Sequence, residues 1–376
     1  MLTRAAVLYE MEKTTPYAES KPLVVEEVNL ADPGPGEVLV EMAGAGLCHS
    51  DLSTIDGSRP RVMPMVMGHE ASGIVREVGP GVHDLKLDDH VVFSFVPLCG
   101  HCLPCATGRP ALCEPGAKAN SAGTLLSGRR PFRSLSGQEI NHHLGVAAFA
   151  EHTVVAQESL IKIDSQLPLS TAALFGCAVM TGVGAVVNTA RVEPGSTVAV
   201  FGLGGVGLST IMGARAAGAE TIFAIDLLPD KLELAASVGA THLINAGEED
   251  PVTMIKDIMN GVDYAFESVG NELVLQQAYA ATKRGGTTIT IGLPHPNKMF
   301  SIPAVSLVAE ERTVKGSYMG SAVPRRDLPR FIAMYEAGLL PVDKLLSRTI
   351  QLDEINAAFD ALATGAAVRQ VVTFEK

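Results

Sequence analysis

The chain has 376 residues, more than a single hydrophobic core usually accommodates, so two domains are expected. Its formal charge of −12, from 41 acidic against 29 basic residues, argues against a nucleic acid or other polyanion as partner. Apolar residues make up 47% of the sequence, which suits a soluble globular protein with a sizeable core.

The opening MLTRAAVLYEMEKTT has no continuous apolar run and no small-residue cleavage site, so no secretory signal is read there. Short runs of β-formers follow, broken by Gly and Pro: AAVLYE, PLVVEEV, GEVLVEM, ASGIVREVG, DDHVVFSF and AEHTVVA. Many short strands without intervening helices predict an irregular barrel or sandwich. The segment from Glu114 to Asn141 is turn-rich and locally basic, and reads as a functional, interface or weakly ordered loop. Its Arg129, Arg130 and Arg133 read as a solvated cluster. The tract 165–190 carries no charge, but Gly, Ser, Thr, Pro and Asn interrupt it, so a buried helix is expected and not a membrane span.

Near Ser196 the pattern changes. STVAVFGLGG runs into glycines, VGLSTIMGARAAGA reads as a helix, TIFAID as a strand, PDKLELAASVGA as a helix and THLIN as a strand. VDYAFES, GGTTITIGL and TVKGSY supply further strands, so an α/β domain with a doubly wound parallel sheet is expected. DLPRFIAMYEAGLL is helical and RQVVTFEK is a closing strand.

GLGGVG, Gly202 to Gly207, is a G-x-G-x-x-G that follows a strand and opens a helix. Gly202 permits the tight turn, Gly204 admits a pyrophosphate to the backbone, and Gly207 lets helix and strand pack closely. The helix N-terminus offers free N–H groups to the phosphates. Asp226, at the end of the next strand, can accept hydrogen bonds from a ribose diol. A 2′-phosphate would be repelled there, and Leu227, Leu228 and Pro229 offer it no donor side chain, so NAD is expected over NADP.

Six cysteines fall into two sets. Cys99, Cys102, Cys105 and Cys113 form a C-x2-C-x2-C-x7-C pattern, which reads as a closed structural zinc site. An iron–sulfur cluster shares the first two spacings, but its fourth cysteine would follow sooner and directly precede proline; here Glu114 separates Cys113 from Pro115. Cys48, Cys177 and the His69 of GHE lie in separate segments. Spacing alone leaves two readings open: a three-ligand zinc site with a free fourth position, or free buried thiols beside an ordinary loop histidine.

Together these features resemble the zinc-dependent medium-chain alcohol dehydrogenases, over essentially the whole chain. GHEASGIVREVGPGV, CGHCLPCATGRPALC, FGCAVMTGVGA, STVAVFGLGGVG and VRQVVTF are each similar to a family segment. The resemblance implies a GroES-like, β-rich catalytic domain over 1–178, completed by 322–376, and a Rossmann-type coenzyme domain over 179–321. It implies two zinc ions per chain. Cys48, His69 and Cys177 would bind the catalytic one, with substrate oxygen or water in fourth place and Glu70 close behind the metal. Asp51 would fix the His69 tautomer. Ser50 would accept the alcohol proton.

By the same resemblance, His49 and Arg369 would meet the cofactor phosphates and Lys231 its adenosine ribose. Thr181, Gly205 and Val206 would complete the cofactor site. Where relatives often place a relay histidine this chain has Ser53, which cannot act as a base near neutral pH. Phe95, Arg59, His143, Leu144, Leu293 and Tyr318 would lie near the substrate channel.

The implied reaction is reversible hydride transfer between a primary or secondary alcohol and NAD, giving an aldehyde or ketone. Glutathione-dependent formaldehyde dehydrogenation is the alternative within the family. A non-catalytic NAD- and zinc-binding protein is the alternative outside it, though none of its open-site ligands is missing. A cytoplasmic homodimer acting on a small molecule is expected, with a tetramer as the other assembly.

Overall fold

Strand Glu37–Gly46 is the hub of the β-rich part of the molecule. It pairs antiparallel with Glu70–Val78, His152–Ala156 and Arg369–Thr373. It can serve three partners because one edge is shared along its length, Glu37–Glu41 pairing with His152–Ala156 and Gly44–Gly46 with Arg369–Thr373, while the other edge takes Glu70–Val78. Leu160–Lys162, His90–Phe93 and Leu346–Ile350 complete this seven-stranded sheet. A second sheet, of strands Leu2–Leu8, Leu23–Leu30, Phe132–Arg133, Glu139–His142 and Met65–Val66, closes into a barrel. Val7, Val28, Leu30, Phe132, Ile140 and Val154 are among the side chains that fill it. The computed structural model describes residues 1–374; Glu375 and Lys376, the end of the expected closing strand, lie outside the described residues.

The segment from Glu114 to Asn141 is not the loop its composition suggests. It begins with helix Glu114–Ala122, capped by the Cys113 sulfur accepting from Gly116 N, and ends in two barrel strands. Nor are its arginines merely solvated. Arg129 pairs with the buried Glu37 carboxylate, Arg130 Nε donates to Asn141 Oδ1 at 2.8 Å, and Arg133 pairs with Glu139 at 2.8 Å.

From Thr197 onward the alternation of strand and helix gives a six-stranded parallel sheet. Its order is His242–Asn245, Thr221–Asp226, Thr197–Phe201, Val262–Glu267, Thr282–Thr290, Thr313–Gly316. Numbered by sequence this is 3-2-1-4-5-6, the doubly wound dinucleotide-binding arrangement. Internal packing divides the chain into one unit of Met1–Cys177, Val323–Pro329 and Leu346–Lys376 and another of Ala178–Ala322 and Arg330–Leu345. Residues 330–345, expected with the catalytic domain, thus group with the parallel sheet. The uncharged tract forms the short helices Leu169–Ala173, Ala178–Gly184 and Ala185–Ala190. Among the described residues no single helix is long and apolar enough to cross a membrane.

One core residue makes the barrel sensitive to acid. His142 is fully buried against Phe132, its Nε2–H donates to Val154 O at 3.0 Å, and its Nδ1 has no hydrogen-bond partner among the described residues. Protonation would bury a second N–H without an acceptor, and burial holds the ring's pKa down to about 3. The unfolded chain therefore binds the extra proton between its own value of about 6.5 and the folded value, so this stability is complete above that window and lost as pH falls through it. The loss is up to about 1.4 kcal/mol per pH unit. His142→Gln, which keeps a donor without the titration, should shrink the difference in urea unfolding free energy between pH 7 and pH 5 by about 1–2 kcal/mol. Equal differences in the two proteins would refute this origin.

Candidate active site

Cys48 lies two residues beyond the end of the hub strand, and His69 immediately precedes strand Glu70–Val78. The register pairs Gly46 with Glu70, so two segments distant in sequence deliver their side chains to one place. A side chain at Gly46 would press within 2.9 Å of the Glu70 carboxyl carbon, so this glycine makes room for it. Cys177 arrives from the short turn Leu174–Gly176, where a Cβ on Gly176 would lie 2.4 Å from Phe93 O. Ligand atoms of Cys48, His69, Glu70 and Cys177 all lie within 4.8 Å of one another, and all four residues are buried.

This donor set fits a divalent cation. Both Glu70 oxygens are buried without a hydrogen-bond partner among the described residues, Arg369 Nη1 standing 3.7 Å from Oε2. Burial raises the Glu70 carboxyl to about 7 against the opposing pull of Arg369. The Cys177 hydrogen bond, with further help from Arg369 and His69 and against burial, draws the Cys48 thiol well below its ordinary value. Asp51 Oδ1 accepts from His69 Nδ1 at 3.0 Å, which fixes the tautomer and leaves Nε2 as the ring's lone-pair donor. Asp51 Oδ2 accepts from Cys48 N at 3.2 Å.

The second cysteine set is equally well gathered. Ligand atoms of Cys99, Cys102, Cys105 and Cys113 lie within 4.8 Å of one another, and none of these cysteines is in a disulfide. Backbone N–H groups of Cys102, Cys99 and Gly116 donate to sulfurs of Cys99, Cys113 and Cys113 at 3.3–3.4 Å. Such donors stabilise thiolates. Four sulfurs leave no open position, as in a structural site.

Other predicted residues distribute between the two units. In the first unit, Phe95 stacks edge-on to His69 at 5.5 Å, and Leu144 is buried. Ser50, Ser53 and the exposed His49 lie on helix His49–Ile55, and the partly exposed Arg59 donates its backbone N–H to Ser53 O at 2.7 Å. Arg369 is 3% exposed and donates to Leu47 O at 2.9 Å, so its guanidinium sits behind Cys48 and Glu70. His143 is also buried, with its Nδ1 3.1 Å from Asp51 Oδ1, a contact that spacing could not reveal.

In the second unit the glycine turn has the form its sequence predicts. Gly202 has φ +90°, a Cβ on Gly207 would fall 1.8 Å from Gly202 O, and a Cβ on Gly204 would meet nothing within 4 Å. Gly204 caps helix Gly205–Ala216, which begins with Gly205 and Val206. Asp226 contributes more than a ribose contact could reveal: Oδ2 accepts from Leu203 N at 2.7 Å and Oδ1 from Leu227 N at 2.8 Å, tying the turn to the strand end. Lys231 is partly exposed in helix Pro229–Val238, Thr181 is buried, and Leu293 and Tyr318 are exposed. Gly204→Ala should therefore fold normally yet raise the KM for NAD about tenfold or more by blocking close approach to the backbone. Gly207→Ala should lower Tm instead. A Gly204→Ala enzyme with unchanged KM would remove this turn from the cofactor site.

Comparison with known proteins agrees with this architecture. Residues 34–165 match the alcohol dehydrogenase GroES-like domain, and residues 205–337 match the zinc-binding dehydrogenase domain. The chain belongs to the zinc-dependent medium-chain alcohol dehydrogenase family. It is 38% identical to an S-(hydroxymethyl)glutathione dehydrogenase of Paracoccus denitrificans, with 100% of each chain covered. It also resembles two crystal structures over 100% of both chains. One is an alcohol dehydrogenase zinc-binding domain protein from Burkholderia ambifaria (34% identity, TM-score 0.94), the other benzyl alcohol dehydrogenase from Acinetobacter calcoaceticus (31% identity, TM-score 0.92).

Proposed function

We propose that the Cys48, His69, Glu70 and Cys177 cluster is the catalytic centre of an NAD-dependent zinc alcohol dehydrogenase. The observation that carries this reading is the burial of two thiols, an Asp-held imidazole and a carboxylate without a hydrogen-bond partner among the described residues around one point. Cys48, His69 and Cys177 would hold the zinc, with Glu70 behind it, and the four-cysteine loop would hold a second, structural zinc. When bound, zinc lowers the pKa of a coordinated hydroxyl and polarises a carbonyl, while NAD accepts the hydride.

The chain's own residues do the rest. Asp51 keeps the His69 lone pair aimed at the thiols. Ser50 would relay the alcohol proton, accepting it while passing its own hydroxyl proton on; with serine again at Ser53, that proton leaves through water or another group. Gly202, Gly204, Gly205, Val206 and Gly207 offer the helix N-terminus to the pyrophosphate, and Asp226, beside Lys231, receives the ribose diol. By the family resemblance, His49 and Arg369 of the first unit and Thr181 of the second would serve the cofactor, and Phe95, Arg59 and Leu144 of the first and Leu293 and Tyr318 of the second the substrate. Residues 1–178 with the C-terminal segment form the catalytic domain.

A glutathione-dependent reading is the second one, supported by the relative from Paracoccus denitrificans that is named for that activity. A panel of aliphatic, benzylic and terpenoid alcohols with NAD and NADP, and formaldehyde with and without glutathione, separates the two. We expect NADH formation from free alcohols with NAD preferred. Turnover of formaldehyde only with glutathione would favour the second reading, and no turnover of any substrate by the zinc-loaded protein would refute both.

A cytoplasmic homodimer fits these features. The cysteines are free, strand Thr313–Gly316 is an edge strand of its sheet, and Val305 and Val308, close by in sequence, are exposed.

A further inference from the structure

We infer that His143 is a positioning residue of the catalytic metal site, sharing the Asp51 carboxylate with His69. The inference rests on the ligand set proposed above. His143 Nδ1 lies 3.1 Å from Asp51 Oδ1, the oxygen that His69 Nδ1 approaches at 3.0 Å. The two rings meet edge to face at 5.6 Å, and both residues are 1% exposed. The His143 contact is less well aligned: it meets the distance but not the angle of a good hydrogen bond. No other hydrogen-bond partner for that nitrogen exists among the described residues, so Asp51 is what a buried N–H there has to turn to.

The carboxylate is thus approached from three sides. Oδ2 accepts from Cys48 N, Oδ1 accepts from His69 Nδ1, and His143 Nδ1 stands 3.1 Å from that same Oδ1. Two of these groups belong to proposed zinc ligands; His143 belongs to neither. An ionised carboxylate only accepts, so a hydrogen bond from either ring to it requires Nδ1–H. Without the third contact Asp51 would be fixed only by the groups it is meant to fix.

The barrel delivers His143. It follows strand Glu139–His142, which pairs with Met65–Val66 on the way to His69 and which Asn141 N anchors on Pro64 O and His142 N on Gly123 O, each at 2.9 Å. It then opens a tight turn in which Leu144 (φ 49°) and Gly145 (φ 68°) are left-handed and Ala147 N returns to His143 O at 3.1 Å. The ring is therefore set by the barrel, beside the segment that carries His69.

The test compares the zinc-loaded enzyme with His143→Phe, which keeps an aromatic ring without the donor, and His143→Asn, whose amide N–H stands near the position of Nδ1–H. His143→Leu is the second donor-free variant should the phenyl ring disturb folding. Partners behind a metal-bound histidine typically contribute 10–100-fold in metal affinity. Catalytic zinc should accordingly pass to a chelator about 10–100-fold faster in the donor-free variants. The visible bands of the cobalt-substituted site should shift, and kcat should fall more than KM. His143→Asn should recover most of each effect, while the structural zinc stays bound throughout. Wild-type release rates and an unchanged cobalt spectrum in both donor-free variants would overturn the inference, as would an Asn variant no better than Phe. Wild-type protein binding no metal at Cys48, His69 and Cys177 would overturn the ligand set as well, which distinguishes the two failures.

Discussion

Cys177→Ala should give a folded protein that holds a single zinc ion and has lost roughly a thousandfold or more in kcat/KM for alcohol oxidation. The size follows from the Lewis-acid contribution of several kcal/mol, at about 1.4 kcal/mol per decade of rate. The fold should survive, because truncating one small buried side chain falls within the usual 0.5–3 kcal/mol cost of a substitution. Cys177 sits at the end of the first unit, fixed by the close approach of Gly176 to Phe93 O, so the alanine backbone has no reason to move. Metal analysis, circular dichroism and steady-state kinetics with NAD check the three parts together. A variant retaining both metal ions and activity within tenfold of wild type would show that Cys177 is no ligand.

Cys105→Ala should have the opposite signature: the catalytic ion retained and the fold weakened. Cys105 shares its cluster with Cys99, Cys102 and Cys113, and only short elements, Leu103–Ala106 and Pro110–Leu112, otherwise order that loop. Leu103 is 74% exposed and helix Leu103–Ala106 buries none of its residues, so no apolar core replaces the metal there. Structural zinc contributes about 10–16 kcal/mol of apparent binding free energy in small zinc domains, comparable with the whole stability of many proteins. We expect one zinc ion lost, Tm lowered by at least several degrees, and new proteolytic cleavage within 99–113. Unchanged Tm and cleavage would mean that the loop stands without its metal.

What the sequence reveals depends on how locally each feature is written. The parallel sheet, the glycine turn and the four-cysteine loop are legible because each is coded within a short, regular spacing. Gly202, Gly204 and Gly207 even show their separate tasks in the space around them. The cluster of Cys48, His69 and Cys177 is not legible from spacing, because strand register joins its segments; only the family resemblance brings them together. Helix Glu114–Ala122 hides behind Gly, Pro and Asn, its start set by a cysteine cap that propensity does not anticipate. The return of residues 330–345 to the parallel-sheet unit is likewise a matter of packing. The contact of His143 with Asp51 depends on a left-handed turn at Leu144, a residue that rarely adopts one, so no sequence pattern announces it.

The metal content of the purified protein, measured alongside NADH formation as zinc is returned to the chelated apoprotein, is the most direct test of the proposed catalytic centre. Two zinc ions per chain are expected, with activity appearing only as the Cys48, His69 and Cys177 site fills. A single zinc, iron with visible absorbance, or full activity in the metal-free protein would contradict a two-zinc dehydrogenase.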